Sequence, residues 1–116
     1  MRFWGRADDD TYAALMASAD VVASASTHEA QGISALEGLT CGAALALADI
    51  GAFADIARDH DGRVRLVGVD TADAWAEALR AMAGLPRLTR RVADWDDVAA
   101  AMVDRYRAAL ATRTAV

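Results

Sequence analysis

A chain of 116 residues is the size of one small domain, enough to bury a core and too short for two full lobes. Apolar residues make up 55% of it and proline occurs once, which sets aside a disordered tail. A formal charge of −5, with no stripe of Lys and Arg among aromatics, sets aside a nucleic-acid partner. No apolar run approaches the roughly 18 residues of a membrane-spanning helix. Met1 to Arg6 also lacks the apolar centre of a signal peptide, so the expectation is a cytoplasmic chain without a transmembrane segment. The single cysteine, Cys41, has no metal-ligand spacing around it and reads as a buried, inert thiol.

In chain order, Arg2 to Gly5 reads as a short first strand. Asp8-Asp9-Asp10-Thr11 supplies N-caps and acids for a helix containing Tyr12, Leu15 and Met16. Val21 to Ser24 is a second strand, and Gly32 opens a helix through Leu36 and Leu39 to about Cys41, with Gly42 as its C-terminal cap. Ala43 to Ala48 is an uninterrupted apolar run of strand length, the pattern of a buried parallel strand. Asp49-Ile50-Gly51 turns the chain into a short helix around Phe53 to Arg58. After a turn at His60-Asp61-Gly62, Val64 to Val67 is a further strand. Thr71-Ala72-Asp73 starts a helix through Trp75, Leu79 and Met82 that ends near Gly84 and Pro86. The last helix, from about Trp95 to Leu110, carries Val98, Met102 and Tyr106 on one stripe, with Thr112 to Val116 frayed. Strands alternating with helices predict an α/β fold, a Rossmann-like partial domain with a short, mostly parallel sheet and helices on both faces. Trp4, Trp75 and Trp95 fall where packing anchors are expected.

The segment Ser26 to Glu37 lies after a strand and across a helix start, the place where open parallel sheets bind ligands. Gly32 permits close approach to the backbone, and the free N–H groups of the first turn, near Gly32, Ile33 and Ser34, favour an anion. Glu29 and Glu37, with seven residues between them, flank that start. Carboxylates accept hydrogen bonds only, so beside a phosphate site they suit the hydroxyls of a sugar or ribose. The same residues have a plain structural reading, in which Glu29 answers the helix dipole and Glu37 sits on a solvated face. His28 could touch a sugar or simply face solvent, and His60, between two aspartates, has no role assigned. Hydrolase, NTPase and zinc motifs are not present.

On these residues the chain resembles the donor domain of the family 4 glycosyltransferases of the GT-B fold. The paired glutamates with seven residues between them, Ala19-Asp20-Val21, Ser26, Gly42 to Gly51, Gly62 to Asp70 and Trp95 to Tyr106 follow the family's pattern in order. The resemblance implies that Glu29 contacts hydroxyls of the transferred sugar and has a catalytic role. It implies that Glu37 holds the ribose hydroxyls, and that backbone near Gly32, Ile33 and Ser34 meets the diphosphate. It further implies a nucleotide-sugar donor, retention of configuration, and neither a cofactor nor an obligatory metal, with Arg/Lys charge and a helix dipole in the metal's place.

Gln31 stands where an aromatic is usual in that family, Ala44 where proline is, Ala52 where a second glycine is, and Asp55 where glutamate is. The acceptor lobe and the first two strands of the donor domain have no counterpart, so residues 1–116 read as a partial carboxyl-terminal donor domain, inactive alone. Its partner would be the missing lobe or another chain. In the strand order 3-2-1-4-5-6 those two strands lie mid-sheet. The Arg2 to Gly5 strand must then slide against Val21 to Ser24 or leave unpaired edges that invite self-association and cost stability. The other reading is a non-catalytic nucleotide- or sugar-binding module, or an oligomerising remnant.

Overall fold

A computed structural model describes residues 1–68, 71–89 and 91–114. Its elements are α1 (Asp9–Ser18), β1 (Val21–Ser24), α2 (Ile33–Thr40), β2 (Ala44–Ala48), α3 (Gly51–Asp59), β3 (Val64–Val67), α4 (Ala72–Ala83) and α5 (Trp95–Thr114). The three strands form one parallel sheet in the order β1-β2-β3, with Val21 beside Ala44 and Leu45 beside Val64. This is the α/β, Rossmann-like partial fold read from the alternation of strands and helices.

Every residue of β2 is buried, because parallel neighbours flank it and helices cover both faces. The two-residue alternation sorts its side chains. Leu45 and Leu47 pack with Ala35 and Leu39 of α2 and with Phe53 and Ile56 of α3. Ala46 packs on the other face with Val67 and with Ala78 of α4. Close approach fixes the α2–β1 contact, since a Cβ on Gly38 would lie 2.8 Å from a methyl of Val22.

Caps set the helix ends. Asp8 accepts from the Thr11 N–H at 2.8 Å, and Thr71 accepts from the Ala74 N–H at 3.3 Å. α2 ends in a Schellman turn at Gly42, whose φ is +92°: the Gly42 N–H donates to Leu39 and the Ala43 N–H to Gly38.

The amino-terminal ends of the strands are closed by two arginines. Buried Arg63 donates to the carbonyls of Pro86 (2.7 Å) and Gly42 (2.9 Å), leaving its Nε without a partner. Arg87 donates to the carbonyls of Ala17, Ala19 and Cys41. Nothing comparable covers the carboxyl-terminal ends among the described residues.

Several expectations are corrected. Arg2 to Gly5 is not a strand: Gly5 bends the chain at φ +60°, and the Arg2 guanidinium lies 3.7 Å from the Trp4 ring, so this segment gains no ladder. It neither slides against β1 nor opens a gap, and β1 and β3 are the sheet edges. Of the three tryptophans only Trp75 packs into the core, whereas Trp4 and Trp95 are exposed. Cys41 is half-buried rather than buried. α5 continues to Thr114, past the expected end, and its apolar stripe is exposed. Asp70, read as the aspartate after β3, and the end of the frayed terminus, Ala115 and Val116, lie outside the described residues. No described helix is long and apolar enough to cross a membrane.

Two outcomes are expected. Gly32→Ala should destabilise by roughly 2–4 kcal/mol in a urea melt, because Gly32 has φ +68° and an added Cβ would meet Phe53 at 2.8 Å and Ile56 at 2.9 Å. Backbone and side-chain bonds from Thr11 hold the Asp8 carboxyl below its usual 3.8, and Arg91 does the same for Asp97. Their contribution is therefore present above that value and lost as the pH falls below it. Circular dichroism should show helix content constant around neutrality and declining only on acidification past about 3.8.

Candidate functional site

Right-handed crossovers in one direction place α2 and α3 on the same face of the sheet, and both helices start at the carboxyl ends of strands. Their first turns carry N–H groups with no helical acceptor. At α2, Gly32 is the left-handed N-cap, its carbonyl taking the N–H groups of Ala35 (3.0 Å) and Leu36 (3.1 Å). Among the described residues the N–H groups of Ile33 and Ser34 have no partner. At α3, extended Ile50 caps without a side-chain bond, and the N–H groups of Gly51 and Ala52 are likewise unpartnered among the described residues.

A cavity of about 650 Å³ lies where the loop after β1 faces the start of α3, bounded by Thr27 to Ala30 on one side and Ile50 to Ala52 on the other. Glu29 is in its wall. The carboxylate folds back on its own loop, accepting from the N–H groups of Ala30 (3.0 Å) and Gln31 (3.5 Å). Backbone N–H donation, from Gly32 first and then Ala30 and Gln31, holds it below the usual carboxylate range. Beside it the Thr27 hydroxyl and His28 Nδ1 are 3.0 Å apart.

The larger neighbouring cavity, about 860 Å³, shares Ala30 and Ala52 with the first and extends between α2, α3 and the segment before α5. Ile33, Leu36, Ile56 and Trp95 give it apolar walls, and Arg91 on its rim is paired with Asp97 (2.7 Å) and Asp94 (3.2 Å). Three of the four positions that depart from the family pattern, Gln31, Ala52 and Asp55, line this cavity, and Ala44 is in the core.

Among the residues expected at the site, Glu29 and the helix starts come together. Gly32 is buried beneath them against Phe53 and Ile56, Ile33 turns toward the larger cavity, and Ser34 is exposed and lines neither. Glu37 lines neither cavity. It projects from α2 toward α1, and its Oε2 accepts from the Tyr12 hydroxyl at 2.6 Å. His60 borders the larger cavity. No group of three or more His, Cys, Asp or Glu side chains suited to a metal occurs among the described residues. The start of α3 was not singled out in the sequence, although Asp49-Ile50-Gly51 marked its turn. Tyr12 carried no signal at all, because its partner is 25 residues away.

Burial, followed by the bond to Glu37, pushes the Tyr12 phenol up to about 12. The contact thus stabilises the fold fully below the ordinary phenol value of 10.0 and is lost as the pH rises through about 12. In a Tyr106→Phe background, spectrophotometric titration should show Tyr12 ionising near 12. Adding Glu37→Gln should move that midpoint part of the way back, and an unmoved midpoint would remove Glu37 as a cause.

The profile of the family described as "Glycosyl transferases group 1" matches residues 1–84. A phosphatidyl-myo-inositol mannosyltransferase of Mycolicibacterium smegmatis is 41% identical over 80 residues, which are 68% of this chain and 20% of that protein. The chain therefore spans about a fifth of the length of this curated relative. No solved structure matches it significantly. The matched residues contain all three strands, both cavity-facing helix starts and both glutamates, and on that match the chain belongs to the group 1 glycosyltransferases.

Proposed function

We propose that the chain is the carboxyl-terminal part of a GT-B donor-binding domain and holds the nucleotide-sugar donor at the carboxyl ends of β1 and β2. The carrying observation is that two helix starts, with four N–H groups unpartnered among the described residues, stand with Glu29 at one end of the sheet. Such an arrangement suits a diphosphate beside a polyhydroxylated group. The diphosphate would lie against the N–H groups of Gly51, Ala52, Ile33 and Ser34. As the bond from anomeric carbon to diphosphate oxygen breaks with retention of configuration, charge develops on that oxygen, and dipoles already oriented toward it favour the step.

Glu29 would turn from the Gly32, Ala30 and Gln31 N–H groups to sugar hydroxyls, freeing those donors for the anion. Glu37 would exchange the Tyr12 hydroxyl for those of the ribose. The outer edge of β1, unpaired by any described strand, is where the first strand of a complete donor domain would add in the order 3-2-1-4-5-6. Transfer also needs an acceptor held near the anomeric carbon, so the isolated chain would bind donor without turning it over.

Calorimetry with a panel of nucleoside diphosphates and nucleotide sugars tests this reading. At least one nucleotide sugar should bind, and Glu37→Ala should weaken it by about ten- to a hundredfold, the loss of hydrogen bonds to a charged acceptor. Glu29→Ala should weaken the nucleotide sugar more than the free diphosphate. Failure of every ligand to bind would overturn the proposal.

A further inference from the structure

The smaller cavity is lined by Thr27 to Ala30 and by Ile50 to Ala52, and among these residues His28 and Glu29 alone bear ionisable side chains. A nucleotide sugar carries negative charge on both phosphates, and Glu29 adds its own in the same wall. Like charges brought this close disfavour one another, so the oriented N–H groups face an excess of negative charge.

The arginines stand elsewhere, and the chain has no lysine. Arg63 and Arg87 are bonded to main-chain carbonyls at the opposite end of the sheet. Arg58 is paired with Asp55 and Asp59, and Arg91 with Asp94 and Asp97. Arg2 lies over the Trp4 ring. Among the described residues that line this cavity, His28 is therefore the one side chain able to carry positive charge.

Local geometry suits it to that task. The Thr27 hydroxyl lies 3.0 Å from His28 Nδ1. A hydroxyl donates to a neutral ring nitrogen and accepts from a protonated one, so this bond holds the ring in either charge state. The ring is exposed, and its Nε2 has no partner among the described residues.

We propose that His28 is a diphosphate contact, donating from Nε2 to a phosphate oxygen as an imidazolium and offsetting the charge of Glu29. The inference rests on the donor-site reading given above. An imidazole changes charge between about pH 5 and about pH 8, and a neighbouring anion favours its protonated form. Donor affinity is therefore highest at the acid end of that window and falls as the pH rises through it. Glu29, held below the usual carboxylate range by backbone N–H groups, keeps its charge throughout. The α3 side, Ile50 to Ala52, brings no titratable side chain to this cavity. The second histidine, His60, borders the neighbouring one.

Calorimetry from about pH 5.5 to about pH 8 with a panel of uridine, guanosine, adenosine and thymidine diphosphate sugars tests the contact. Both phosphates of such a ligand are diesters and hold no proton in this window, whereas a free nucleoside diphosphate has a terminal phosphate that titrates near about 6. Wild-type affinity should be about tenfold tighter at the acid end, the equivalent of about one pH unit of linkage. His28→Gln should bind at every pH with the weaker affinity that the wild type shows at the alkaline end, and His60→Gln should keep the wild-type slope. Circular dichroism checks that both variants fold. Binding that is flat with pH in the wild type, a slope that survives His28→Gln, or one that disappears with His60→Gln would overturn the inference and leave the donor site standing. Failure of every nucleotide sugar to bind at any pH would overturn both.

Discussion

The burial of β2 organises this chain. Its five residues, Ala-Leu-Ala-Leu-Ala, are wholly enclosed, and a strand with parallel neighbours on both sides cannot be reached through hairpins. Each connection must cross over, and right-handed crossovers in one direction deliver α2 and α3 to the same face. Both helices then begin at the same end of the sheet, so packing that serves the core also concentrates two positive helix ends. Two helix starts at one end of a sheet are an arrangement that favours an anion before any side chain is considered.

The two ends of the sheet carry different chemistry. At the amino-terminal ends, Arg63 and Arg87 tie α1, α2 and the segment after α4 together through main-chain carbonyls, supplying donors where helix ends and turns leave acceptors unmet. At the opposite ends, main-chain donors are left unmet instead, and a carboxylate from the same loop occupies some of them. Glu37 likewise has a partner, accepting from the Tyr12 hydroxyl.

Much of this was legible in the sequence because the signals are local. The apolar run before Asp49, the caps Asp8 and Thr71, and Gly42 mark β2, α1, α4 and the end of α2 to within a residue or two. Arg2 to Gly5 misled because β-type residues make a strand only where a ladder is available, and that segment finds none. Trp95 and the α5 stripe misled for a related reason: periodicity reveals an apolar face without naming what covers it. At the site, Glu29 and the helix start were readable from a loop, a glycine and a helix pattern. The Tyr12–Glu37 bond and the second helix start at Gly51 were not, since both depend on how separate elements meet in space.

The interpretation depends most on whether an anion is held between the two helix starts, and amide chemical shifts locate it directly. On titrating the labelled chain with a nucleoside diphosphate, the Ile33, Ser34, Gly51 and Ala52 amides should shift together. Those of Ala30 and Gln31 should also move as Glu29 releases them. Shifts confined to the opposite end of the sheet, around Gly42 and Leu88, or no saturable shifts at all, would contradict a donor site at the carboxyl ends of the strands.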